Sequence, residues 1–139
     1  MSVISSQQLA AFHATEYRVD DPAGPFTLRI GERSLALQRL HEALGAASSA
    51  YLTAWNPLGE TAPPELNAER QTSLQRDLVE LGIFALPGEG RHPATCWAEQ
   101  SLLAVGLSRD QAVELGNKYR QLAILFSGED AMPQLITLM

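Results

Sequence analysis

The chain of 139 residues has one cysteine, Cys96, and one lysine, Lys118, among its ten basic residues. A single cysteine excludes an intrachain disulfide and a thiolate zinc cluster. His13, His41 and His92 stand far apart, and none has a histidine or acid at the helical spacing of metal ligands, so no bound metal or other cofactor is expected. No window approaches the length of apolar run that crosses a bilayer, and the opening "MSVISSQQLAAF" lacks both a basic n-region and a long apolar stretch. A soluble, cytoplasmic protein without a membrane partner is the expectation. Positive charge is scarce as well, since sixteen acidic residues leave a formal net charge of −6. Such a surface repels phosphodiester backbones, and nucleic acid is not an expected partner.

Hydrophobic residues make up 45% of the chain, enough for a packed core and too many for a disordered segment. The length favours one domain over 1–139 that buries roughly two thirds of its unfolded surface. Ser5 with Gln8 forms a capping-box pattern ahead of a helix over about 5–15, and Ser108 with Gln111 repeats it ahead of a helix over 108–120. A further helix over 34–44 begins at Ser34 and stops at Gly45, and another is expected over 67–81. "EYRV", "PFTLRI", "AYLTAWN", "IFAL", "ATCWAEQSLLAVGL", "LAILF" and "QLITL" read as strands between turn-forming stretches. The order predicts one α+β domain: a mixed, twisted sheet of about six strands with about four helices.

Two polar residues interrupt the expected pattern. With Leu74, Leu78 and Leu81 as the buried stripe of the third helix, counting back by fours and sevens brings Arg70 and Asn67 onto the same face. Asn67 serves as a helix N-cap on this reading. In the strand 95–105, alternation places Glu99 and Ser101 on the face of Trp97, Leu103 and Val105. An acid and a guanidinium on core-facing positions call for each other, and a buried Arg70–Glu99 ion pair is the plain expectation. The alternative is a pocket in which both hold a small ligand.

"PFTLRIG", "TAWNP", "N-x-x-R-x-x-x-L", "LPGEGRHP-x-x-x-W-x-E-x-S-L" and "LG-x-x-Y-x-Q-x-A" occur in an order and spacing that resemble an uncharacterised bacterial family, domain of unknown function 3293, from about 10 to 138. The resemblance implies a compact bacterial protein and brings no known activity. Its recurrent polar and aromatic positions fall on Trp55, Asn56, Asn67, Arg70, Trp97, Glu99, Ser101 and Gln121, which are the candidate ligand-binding residues.

Other features have plainer explanations. "PGEGRHP" reads as a hairpin loop that uses glycine for positive φ, with a phosphate nest as the lesser alternative. Cys96 reads as a small buried hydrophobe and His41 as a boundary residue bonded to the backbone. Ser101 has no evident base, so no catalytic triad is argued, and Glu99 is the one candidate general base. Two functions follow. One is a polar and aromatic pocket for a small anionic ligand, such as a nucleotide or carboxylate, held by Arg70 and the amides at a helix N-terminus. The other is a non-catalytic structural or protein-interaction module, with a second copy of the chain among its allowed partners.

Overall fold

The computed structural model describes residues 4–138. Its helices are α1 (Ser6–Ala14), α2 (Leu35–Leu44), α3 (Pro64–Glu80) and α4 (Arg109–Lys118). Its strands are β1 (Glu16–Val19), β2 (Phe26–Leu28), β3 (Ser49–Leu52), β4 (Phe84–Arg91), β5 (Ala98–Val105), β6 (Ala123–Ser127) and β7 (Gln134–Thr137). The helices begin where side chains can satisfy their free amides. Ser5 and Ser108 form full capping boxes with Gln8 and Gln111, and Ser34 caps Leu37. Gly45 closes α2 at φ 64°, a left-handed conformation in which a Cβ would be strained.

All seven strands join one sheet in the order β2-β1-β4-β5-β3-β6-β7. Every pairing is antiparallel, which corrects the expected mixed sheet of about six strands. α2, α3 and α4 each join strands that run in the same direction but are separated by at least one other strand, so no parallel pair forms.

Side chains from the two sides of the sheet build two cores. On one side Ala50, Leu52, Leu102 and Ala104 pack against Leu74 and Leu78 of α3 and Leu115 of α4. Lys118 bonds Asp77 at 2.7 Å, and the Tyr119 hydroxyl reaches both Asp77 and Ser73, clipping α4 to α3. On the other side Val19, Tyr51, Leu103 and Leu125 pack against Leu37 of α2. Here His41 is buried, with Nε2 2.9 Å from the Ser49 hydroxyl, rather than a boundary residue bonded to backbone.

The second side is concave. The Tyr51 hydroxyl on β3 donates to the Arg18 carbonyl on β1 at 2.7 Å, although β5 and β4 lie between those strands. In a flat sheet three strand spacings span about 14 Å, well beyond a tyrosine's reach. The Tyr17 and Tyr51 rings likewise meet edge to face with centroids 5.4 Å apart. Curling of this kind needs close backbone approach. A Cβ on Gly88 would overlap the Arg18 carbonyl oxygen and lie 2.9 Å from the Tyr51 hydroxyl oxygen. The glycines of "PGEGR" therefore belong to β4, and the loop expected there lies beyond it, around 92–97, where Cys96 is exposed rather than buried.

Two substitutions separate this requirement from ordinary glycine flexibility. Gly88→Ala should lose about 3 kcal/mol of stability or more, because the obstruction is backbone and cannot rotate away. Gly90→Ala meets nothing nearer than 3.7 Å and should stay within about 1 kcal/mol of the parent. Urea denaturation of both checks this, and equal midpoints would remove the steric account.

Candidate functional site

β3 pairs with β5 only from Ser49↔Val105 to Leu52↔Leu102. Residues 98–101 of β5 therefore continue past the end of β3, held on their other side by β4. The segment 53–63 fills the vacated edge, and side chains from α3 fix it there. Gln71 Oε1 accepts from the Ala54 amide at 2.9 Å. Asn67 Oδ1 accepts from the Asn56 amide at 2.9 Å, while its Nδ2 donates to Asn56 Oδ1 at 2.8 Å and Ala62 O at 3.3 Å. Asn56 Oδ1 also takes the Ala62 amide, at 3.0 Å. These bonds hold Asn56 at φ 46°, a left-handed conformation that asparagine tolerates better than most residues. The Thr53 hydroxyl supplies a cross-link to the Gln100 carbonyl.

The buried stripe of α3 is Asn67, Gln71, Leu74 and Leu78. Its spacing of four, three and four residues differs from the expected stripe, which took Arg70 and Leu81 instead. At 100° per residue Arg70 lies roughly 70° from the centre of that stripe, on its flank. Arg70 is half-buried and Leu81 is 46% exposed. Asn67 is no N-cap either, since Pro63 precedes the first turn and the Asn67 amide bonds Pro63 O inside the helix. The ion pairs within 4.0 Å among the described residues are Arg29–Glu16, Arg91–Glu89 and Lys118–Asp77. The expected Arg70–Glu99 pair is absent.

A chamber of about 100 Å³ lies on the concave side where β3 ends. Of the eight candidates, Asn56, Trp97, Glu99, Ser101 and Gln121 line it. Trp55 lies outside the lining, and its carbonyl accepts from Gln121 Nε2 at 3.2 Å. Asn67 stands behind Asn56, and Arg70 does not reach the chamber. Trp97 is 39% exposed and forms wall rather than core. Gly90, opposite Glu99 across β4 and β5, adds open floor because it has no side chain.

Glu99 is the one carboxyl among the lining residues of the chamber. Removal from water lifts its carboxyl from the usual 4.5 to about 7, partly opposed by the facing Asn56 amide, which favours the ionised form. The Asn56 amide is the one side-chain hydrogen-bonding group that acts on the Glu99 carboxyl, and among the described residues that carboxyl has no ionic partner. Gln121 gives both its nitrogen bonds to carbonyls, of Trp55 and of Tyr119 at 3.2 Å each, and among the described residues its side-chain oxygen accepts no bond. Ser101 is buried and donates to the Glu99 main-chain carbonyl at 3.2 Å. Burial pushes the phenols of Tyr17 and Tyr51 upward, so both stay neutral.

A larger groove of about 570 Å³ adjoins the chamber, sharing Phe12, Gly59, Trp97 and Leu122 with it. Its outer wall is α1. Sequence reasoning missed this wall and also Gln71. Gln71 was available as the residue four after Asn67, on the face that Leu74 and Leu78 define.

The model of a family described as "Protein of unknown function (DUF3293)" matches residues 52–124. The chain belongs to this family. The DUF3293 match contains all eight candidate residues and leaves α1, β1 and β2 outside. No curated protein and no solved structure matches the chain. Among the described residues no group of three or more His, Cys, Asp or Glu could hold a metal ion, and no helix is long and apolar enough to cross a membrane.

Asn67→Ala deletes three bonds of the loop anchor and leaves the Asn56 amide without its acceptor. A loss of about 2 to 3 kcal/mol is expected, together with faster hydrogen exchange at the Asn56 amide than at strand amides of β5. Unchanged exchange there would show that the loop is held by other means.

Glu99 gives a pH signature. Folded, it keeps its proton up to about pH 7; unfolded, it releases it near 4.5. Its stabilising contribution is therefore complete below 4.5 and is lost as pH rises through 7. His41, pushed down by burial, acts in the opposite sense, losing stability as pH falls below its usual 6.5. A variant comparison isolates Glu99. Glu99→Gln should gain on the parent between pH 5 and pH 8, with a ceiling of about 3 kcal/mol. Parallel stability curves for the two proteins would contradict it.

Proposed function

We propose that this protein binds a small molecule in the chamber where β3 leaves the sheet. The observation that carries the reading is Glu99, a shielded carboxyl with no ionic partner among the described residues, lining an open chamber beside the Gln121 side-chain oxygen. A structural acid in such a place is normally paired, because an unpaired charge costs several kcal/mol. Destabilising chemistry kept in a cavity is characteristic of binding and catalytic sites. A carboxyl poised near neutrality can also take or give a proton, so acid–base catalysis at Glu99 is the reaction chemistry this site supports best.

The anionic ligand expected from sequence relied on Arg70 and on free amides near Asn67, and neither faces the chamber. An anion binding here must meet Glu99 in its protonated form, which restricts it to conditions below about pH 7. The rival reading, a structural or protein-interaction module, drew its support from an Arg70–Glu99 pair. A bacterial source and a cytoplasmic location belong to the same proposal, and an exposed unpaired Cys96 suits a reducing compartment.

A fragment screen by NMR tests the site. Binders should move the Trp97 indole N–H together with the side-chain amides of Asn56 and Gln121. At 100 times its dissociation constant a binder should add about 2.7 kcal/mol of stability, several degrees of melting temperature at this size. Gly90→Ala, which narrows the floor without disturbing the fold, should weaken binding several-fold. Hits that move other resonances and ignore Gly90→Ala would relocate the site and end this reading.

A further inference from the structure

The chamber has an electrostatic character of one sign. Phe12, Tyr17, Tyr51 and Trp97 line it with Glu99, and among the described residues no Arg, Lys or His does. Aromatic faces carry negative quadrupole potential, which attracts cations and repels anions. The chamber's side-chain acceptors point the same way, with the Asn56 amide nitrogen, which faces Glu99, as the one amide donor on the wall. The Glu99 carboxylate and the Gln121 side-chain oxygen both accept hydrogen bonds, because the Gln121 nitrogen is already committed to two carbonyls. Four aromatic side chains and one carboxyl in the same lining suit a positively charged, hydrogen-bond-donating group.

Volume limits what enters. An apolar cavity of about 150 Å³ accepts benzene, so about 100 Å³ admits a head group smaller than a benzene ring, of roughly four non-hydrogen atoms. The adjoining groove is several times larger and its walls are mostly apolar, with Ala10, Ala11 and Ala14 of α1 facing Trp97 and Leu122. Polar demand is concentrated at one end and bulk is accommodated at the other.

Resting on the small-molecule reading above, we propose that the ligand is an organic cation, with an ammonium or amidinium head in the aromatic chamber and an apolar tail along the groove under α1. Binding exchanges one proton and makes no covalent bond. Protonated Glu99 and the cation become ionised Glu99 paired with the same cation, and the proton released goes to solvent. α1 contributes size tolerance through its alanines rather than head-group recognition.

Isothermal titration calorimetry at pH 7, in two buffers of different ionisation enthalpy, reads this exchange directly. The probes are benzamidinium and phenethylammonium, with benzoate and benzamide as the anionic and neutral counterparts. The cations should bind at least tenfold more tightly than benzoate and release about half a proton, since free Glu99 is about half protonated at that pH. Glu99→Gln should abolish the release and weaken both cations at least tenfold. Ala11→Trp should weaken phenethylammonium several-fold while leaving methylammonium, an additional cation without a tail, unchanged. The direction of proton exchange is read on the unsubstituted chain, so a poorly folding variant leaves the test intact. Preferred binding of benzoate with proton uptake, or of benzamide with none, would overturn the cationic class and leave the binding site standing. If none of the four probes binds, the cation proposal falls and the small-molecule reading falls with it.

Discussion

The bond between the Tyr51 hydroxyl and the Arg18 carbonyl marks the constraint on which the remaining structure depends. It closes the concave side across two intervening strands, and it forms only because Gly88 leaves the path of the tyrosine clear. With the sheet rolled this far, Tyr17 and Tyr51 can touch, Leu37 of α2 can fill the middle of the concavity, and the end beyond β3 stays open. A bulkier residue at 88 would push β1 away from β4 and open the same space to water. Curvature, core and chamber are thus one arrangement seen at three points along the sheet.

Within that arrangement the polar side chains fall into two groups with opposite energetic roles. Asn67, Gln71 and Asn56 Oδ1 satisfy buried backbone groups of the segment 53–63, each bond contributing on the order of 1 kcal/mol. Glu99 and the Gln121 oxygen have no such partners, and Glu99 weakens the fold above neutral pH. The first group keeps the second in register. Because the Asn56 side-chain oxygen is occupied by Asn67 and Ala62, its nitrogen is left facing Glu99, and rotation of the amide would break two bonds.

Local chemistry made several elements legible from sequence. The Ser5/Gln8 and Ser108/Gln111 boxes located two helix starts, and Ser34 with Gly45 bounded a third helix. Strict alternation along 97–105 put Glu99 and Ser101 on the face of Leu103 and Val105, and the structure places them there. The errors arose where long-range geometry outweighed local signals. The third helix opens at Pro64 rather than at 67, and taking the exposed C-cap Leu81 into the buried stripe rotated the helical phase enough to favour Arg70 over Gln71. Gly88 and Gly90 looked like turn residues because the approach of Arg18 to β4 is invisible without the pairing. Strand direction depended on the same missing information. α1 offered little amphipathic contrast and buries no residue fully, so nothing in its sequence announced the groove beneath it.

The segment that defines the family, 52–124, contains Asn56, Trp97, Glu99, Ser101 and Gln121, whereas α1 lies wholly outside it. The outer wall of the groove is therefore encoded apart from the polar residues of the chamber, and the two compartments meet at Phe12, Gly59, Trp97 and Leu122, with Phe12 fixed by the Tyr17 hydroxyl bonded to its carbonyl. Substitutions among the alanines of α1 alter the outer wall without touching the sheet, its curl or the loop anchor. Mutation can retune the size of an accepted molecule at little risk to folding, while a change in the inner chemistry must pass through residues on which the fold also relies. Divergence in this protein is mechanically easier at the entrance than at the floor.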